Sequence, residues 1–415
     1  MSSSAILALY LVLFVLQRAV ESGLGVLNLR HGRAQDAPPP ALSGAVDGDT
    51  HARMREYTQT RGRFALLTDT VAAVAVLAVV LSGVLGTLDR AVGQLALHPY
   101  LSGGIYVLAV GAFFTVIGIP AALYSQFVIE QRFGFNRTTL GLFLLDRLKG
   151  GLISLVISAI VLLVLFAFMD RAGSLWWLYA GGVIIAFQFV LMVLFPTVIA
   201  PLFNRFVPVD EGEVRTRLAE LARRLGYRLR GIFVMDGSKR SKHSNAYFTG
   251  LGPVKRIVLF DTLLDQLDPG EIEAVVAHEI GHERLRHIPQ RLALSVVATV
   301  AALWVLSLVL DHAPLFAAFG IGQPSHHAAL VLFSLLAGPF TFWLGPLSAL
   351  WSRRHEYAAD RFAAKAVDSP EPLSGALIKL SRDNLANLAP HPWYSFYHYS
   401  HPTLVERLAA LQAAA

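Results

Sequence analysis

The sequence predicts a mainly α-helical integral membrane protein with a small α/β unit set on one side of its spans. The first observation behind this is composition. The chain is 54% hydrophobic and 15% charged, whereas a soluble domain carries about 25% charged residues. The second is seven long apolar runs near the ~20 residues that a helix needs to cross a bilayer. The third is a stretch from about Asn204 to Gln290 that has no such run and mixes amphipathic-helix and strand patterns. Cysteine is absent, which excludes a disulfide framework and any thiolate-held metal. A net charge of +6 is modest and reads as a signal of membrane orientation; no nucleic-acid partner is expected.

The apolar runs are Ala5 to Leu16, Phe64 to Leu88, Leu101 to Ile129, Leu152 to Met169, Leu175 to Ala200, Leu292 to Leu310 and Ala328 to Trp351. The first is short, but no basic residue precedes it and no Ala-x-Ala site follows, so it is expected to be a retained span and not a cleaved leader. The Pro-rich Ala37 to Pro40 beyond it reads as irregular linker. Gly118, Pro120, Gly338, Pro339, Gly345 and Pro346 interrupt later runs, as is tolerated where neighbours satisfy the backbone.

Basic residues cluster in alternate loops. Arg30, Arg33, Arg53, Arg55, Arg61 and Arg63 follow the first run, and Arg132, Arg137, Arg147 and Lys149 follow the third. The positive-inside bias then puts loops one, three and five and the C-terminus in the cytoplasm, with the N-terminus outside. The expected organisation is a membrane part over residues 1–203, a cytoplasmic unit over 204–290, two spans within 291–351 and the rest of the cytoplasmic unit over 352–415.

Within loop five, Val214 to Leu225 reads as an amphipathic helix, and Ile232–Met235 and Arg256–Phe260 as strands. Lys242 to Gly250 alternates enough to be a strand between them. Such a strand either offers an edge for an extended peptide, through Asn245, Ala246 and Tyr247, or simply completes a hairpin. His243 reads as a surface histidine.

Pro269 onward, with Glu271 and Glu273 early, reads as a helix start. That helix carries His278-Glu279-Ile280-Gly281-His282. Positions i and i+4 share a face, so two imidazoles can meet one ion, and Glu279 can reach a water beside it. This is the spacing of a catalytic Zn²⁺ site, one ion per chain, that still requires a third protein ligand. After the seventh run, Glu356 and Asp360 stand i, i+4 on another helix. Glu356 can complete the ligand set, and Asp360 can hold a ligand histidine. His355 faces elsewhere. In the tail, His401 and Arg407 flank Thr403 and Glu406, which form a capping box, and they can face a developing oxyanion.

Six segments taken together, EQRFGFN (Glu130–Asn136), PTVIAPLFNRFVP (Pro196–Pro208), SKHSNAYF (Ser241–Phe248), HEIGH (His278–His282), RRHEYAAD (Arg353–Asp360) and YHYSHPTLVERL (Tyr397–Leu408), resemble the Ste24-type CAAX prenyl proteases of the M48 zinc metallopeptidases. The resemblance implies seven transmembrane helices forming a barrel-like chamber, closed on the cytoplasmic side by a gluzincin-like domain. It implies zinc held by His278, His282 and Glu356, Glu279 as base, Asp360 as support, Asn245 on a substrate strand, and His401 and Arg407 near the scissile carbonyl. The expected partners are the bilayer and a peptide or protein substrate, prenylated in the eukaryotic family. The membrane would be a bacterial inner membrane or the endoplasmic reticulum. His355 stands where an aromatic is expected. The rival readings are an HtpX-like quality-control protease and a metal-holding transporter. Against the transporter, the apolar runs carry almost no ionisable residue.

Overall fold

The computed structural model describes residues 1–250 and 254–413. Five long helices come first: α1 (Ser3–Arg33), α2 (Gly48–Leu81), α3 (Pro99–Tyr124), α4 (Leu140–Arg171) and α5 (Trp176–Leu194). Ser2, Asp47 and Thr139 cap α1, α2 and α4 with side-chain oxygens. Single π turns extend α3 through Ser125–Glu130 and α5 through Phe195–Ile199. Pro120 precedes the first and Pro196 lies in the second, where a missing N–H loosens the backbone ladder.

Next come β1 (Phe206–Pro208), α6 (Glu213–Arg224), β2 (Arg228–Met235), β3 (Ala246–Thr249), β4 (Val254–Phe260) and α7 (Pro269–Arg284). The chain then re-enters apolar helix as α8 (His287–Val309), α9 (His326–Leu336) and α10 (Gly345–Ala366). It closes with α11 (Glu371–Asp383) and α12 (Leu404–Gln412). Among the described residues, six helices are long and apolar enough to span a membrane, or seven if the α9 and α10 segments, bent by 44° at a break, count as one span. Their apolar windows are mostly unburied by the chain itself, as lipid-facing surfaces should be.

Some elements differ from expectation. α1 runs well beyond its apolar stretch because its polar half packs on α2, where Gln59 Nε2 donates to the Leu29 carbonyl at 2.7 Å. The Pro-rich segment at 37–39 is irregular, but the chain just beyond it is anchored: Leu42 and Val46 are buried with Met54, Tyr57, Phe133 and Leu408. The middle strand is shorter than the alternating pattern. Lys242 N donates instead to the Phe135 carbonyl, and Ser241 bridges Asn136, so residues 241–245 are drawn out of the ladder. His243 is half-buried, not a surface group. It stacks on Phe135 and sits 2.7 Å from Asn384 Oδ1 and 3.4 Å from Glu130 Oε2. Hydrogen bonding to Glu130, working against burial, raises its pKa.

The sheet order is β1-β2-β4-β3, with β2 and β4 parallel and β3 at an edge. One face, with Ile232, Ala246, Phe248, Ile257 and Leu259, packs against Ile272, Val276 and Ile280 of α7. The same core takes in Ala363, Leu373, Ala376 and Leu411. Two stretches separated by the last apolar helices therefore build one α/β unit. Arg240 ties that unit to the membrane part through Asp146 of α4 (2.8 and 3.0 Å), Asn204 and the Phe203 carbonyl.

α7 and α10 approach closely because small residues line their seam. Ala277, Ala359 and Ala363 are fully buried. A Cβ added to Gly281 would stand 3.1 Å from Phe362 Cδ1 and 3.3 Å from the Ala359 backbone. Gly281→Leu must push the helices apart. The expected cost is about 1–3 kcal/mol, read as a lowered thermal midpoint in detergent; an unchanged midpoint would show that the seam has slack.

Candidate active site

α7 starts where Pro269 follows Asp268, and the Asp268 N–H donates to Glu271 Oε2 at 2.9 Å. This fixes the helix phase. Ile272, Ala274, Val276, Ala277 and Ile280 face the core, which leaves His278 and His282 turned toward α10. Their Nε2 atoms lie 3.1 Å apart. Glu356 Oε2 is 3.5 Å from His278 Nε2, and Glu356 Oε1 is 3.4 Å from His282 Nε2. These three residues form a group able to hold a metal ion.

The spacing fits. Ligand atoms about 2.0–2.1 Å from a tetrahedral ion stand roughly 3.3 Å from each other. Glu356 is 1% exposed, and its Oε2 has no well-aligned hydrogen bond, although His401 Nδ1 lies 2.8 Å away. A buried carboxylate among imidazoles whose ring nitrogens converge is a donor set that suits a cation.

Each histidine is supported from behind. His278 Nδ1 is 2.8 Å from Asp360 Oδ1. Asp360 is in turn gripped by Arg407, Nε at 2.8 Å and Nη2 at 2.6 Å. His282 Nδ1 lies 3.0 Å from Nδ1 of His287. With a metal ion on its Nε2, His282 would carry its proton on Nδ1 and donate to His287. The His287 ring stacks on His355 at 3.9 Å, and His355 Nε2 reaches Gln290 Oε1 at 3.1 Å. His355 thus lies outside the ligand group. Without an ion, burial lowers both imidazoles. The Asp360 and Glu356 carboxylates more than reverse this at His278, pushing it up to about 9, while His282, beside cationic His278, falls to about 4.

Glu279 is half-buried, and burial raises its carboxyl pKa above the usual range. That suits a base working near neutrality. His401 is exposed at the mouth of the site, and Thr403 and Glu406 form the expected capping box beside it. Arg407 has two nitrogens committed to Asp360, so its main contact is with that carboxylate. Asn245 precedes β3; Ala246 and Tyr247 are its first residues and pair with Leu259 and Val258. The sequence reading missed His287 and Arg291, whose Nη2 is 4.0 Å from Glu356 Oε1. A third histidine soon after the motif was the available signal for His287.

Residues 28–205 match the model of the CAAX prenyl protease N-terminal region with five membrane helices, and residues 208–415 match that of peptidase family M48. CAAX prenyl protease 1 homolog of Oryza sativa subsp. japonica is 35% identical, covering 94% of this chain and 93% of its own. CAAX prenyl protease 1 of Saccharomyces cerevisiae is 33% identical (90% and 88%), and the Homo sapiens homolog 31% (90% and 88%). The crystal structure of S. mikatae Ste24p superposes with a TM-score of 0.92 at 31% identity, covering 99% of both chains. An integral multi-pass chain with this arrangement of histidines and carboxylates thus belongs to peptidase family M48, as a membrane metalloendopeptidase of the Ste24-type CAAX prenyl protease group.

Proposed function

We propose that the metal is Zn²⁺, one per chain, held by His278, His282 and Glu356. Two imidazoles and one carboxylate with an open position form the donor set of a catalytic zinc. When bound, the ion supplies a Lewis acid and lowers the pKa of water toward ~7. Glu279 takes the proton of the attacking water and delivers it to the leaving amine. His401, at the mouth, donates to the scissile oxygen as it becomes negative. Asp360 orients His278, and Arg407 orients Asp360 while its remaining nitrogen faces the same oxygen. His287 sets the tautomer of His282.

The substrate is a membrane-associated peptide or protein, a C-terminally prenylated CAAX chain among them. Its main chain pairs with the free edge of β3 beside Asn245, Ala246 and Tyr247. Seven spans, with α9 and α10 forming the last, surround a chamber in the bilayer. The soluble unit lies in the cytoplasm and the N-terminus outside. Residues 1–203 form the membrane part, and residues 204–290 and 352–415 form the catalytic unit around the spans of 291–351. Supporting the side assignment, the arginine-rich first loop docks on the catalytic side: Arg53 Nη2 donates to the Phe133 carbonyl at 2.7 Å, and Tyr57 OH to Glu130 Oε1 at 2.8 Å. The observation that carries the reading is the triangle of donor atoms 3.1–3.5 Å apart.

Glu279→Gln is expected to retain one zinc per chain by elemental analysis while kcat/KM falls by on the order of 10³–10⁴; parental turnover would refute the role of the base. His287→Ala should weaken metal affinity about 10–100-fold, seen as faster zinc transfer to a chromogenic chelator, and His287→Gln, which keeps an acceptor, should restore part of it. A chelator should abolish cleavage of a farnesylated CAAX peptide, and stoichiometric Zn²⁺ but not Mg²⁺ should restore it. Equal cleavage of the unmodified peptide would remove the lipid from the specificity.

A further inference from the structure

Among the described residues, α6, α7, α10, α11 and α12 share one core with a single face of the sheet. Phe233, Tyr247, Arg256 and Val258 of the other face line a cavity of about 1390 Å³, which Phe248 and Lys255 from the α7-packed side and two spans also line. The spans contribute Met192 and Val193 from the last turn of α5 and Ile288 and Pro289 from the first turn of α8. The cavity therefore sits at the ends of membrane helices, where lipid head groups lie.

Its charge is one-sided. Arg205, Arg230, Lys255, Arg256, Arg284 and Arg286 line it, with Glu283 as the carboxylate. Glu283 is already satisfied by Lys255 at 2.7 Å and by the Tyr227 hydroxyl. Among the described residues, none of the five arginines has a carboxylate within ion-pair distance. Arg256 lies over the Phe233 ring at 5.1 Å, and its Nε is buried without a hydrogen-bond partner. Guanidinium groups left unpaired above an apolar wall match a phosphate joined to a hydrocarbon chain. A soluble anion would leave the wall of Met192, Val193 and Ile288 unused, and a neutral lipid would leave the arginines uncompensated.

We propose that this cavity binds the phosphate head group of an anionic phospholipid, with an acyl chain lying along Met192, Val193 and Ile288. The phosphate is held by Arg230, Arg256 and Arg284, with Arg205 and Arg286 at the rim. His278, His282 and Glu356 do not line the cavity, although Tyr247 of the edge strand proposed for substrate does; the bound lipid would fix the sheet against the ends of α5 and α8.

The test uses the full-length protein, delipidated and returned to nanodiscs of phosphatidylcholine with or without phosphatidylglycerol. Retained lipid is read by native mass spectrometry after release into detergent. Phosphatidylglycerol should be retained over phosphatidylcholine by about tenfold or more, and the preference should shrink several-fold at 1 M salt. Arg205→Gln/Arg230→Gln/Arg284→Gln should bring the two lipids to within about twofold, while the corresponding Arg→Lys triple keeps most of the preference. Metal-dependent cleavage of a soluble peptide by each variant confirms that it is folded. An unaltered preference in the Gln triple overturns the proposal, as does equal retention of both lipids by the parent. Raising the thermal midpoint as far with glycerol phosphate or an acidic soluble peptide as with phosphatidylglycerol also overturns it, because the cavity would then read a soluble anion.

Discussion

The close contact of α7 with α10 governs the rest of the molecule. Three donor atoms from different parts of the chain can share an ion only if these helices touch almost backbone to backbone. Ala277, Gly281, Ala359 and Ala363 permit that approach. The surrounding core, drawn from the sheet, α7, α10, α11 and α12, holds it. Charge reinforces the arrangement from outside, since Arg407 keeps Asp360 ionised and in place behind His278. Burying two carboxylates and two imidazoles together is unfavourable by itself. This cluster is compensated by the guanidinium on one side and would be compensated further by a metal ion held between His278, His282 and Glu356.

Much of this was legible in the sequence, for identifiable reasons. Hydropathy reports bilayer exposure directly, so the spans were visible. The i, i+4 spacing of His278 with His282, and of Glu356 with Asp360, is a property of a single helix and is readable wherever a helix is. His287 was not readable in the same way. Its contact with His282 depends on Arg286 adopting a left-handed conformation, φ 59°, which ends one helix and turns the next so that the ring folds back. The shortened β3 was likewise hidden, because the residues before it are claimed by Phe135 and Asn136, which lie a hundred positions upstream in sequence. Composition of the Pro-rich loop gave no sign that Leu42 would be buried against the C-terminal helix.

Two polar junctions explain why segments far apart in sequence matter together. Glu130, at the end of α3, receives the Tyr57 hydroxyl from α2 and faces His243 of the soluble unit. Arg240, three positions earlier than His243, reaches α4. The loop leading into β3 is therefore anchored directly to α3 and α4, and through Glu130 to α2, so the edge of the sheet is positioned by these helices as much as by its own ladder.

The order of the donor groups along the chain also bears on biosynthesis. Both histidines are made before the last two apolar segments, and the carboxylate comes after them. A nascent polypeptide halted in that interval carries half a coordination sphere and none of α11 or α12. Making the last apolar segments is thus what brings the third donor to the two histidines.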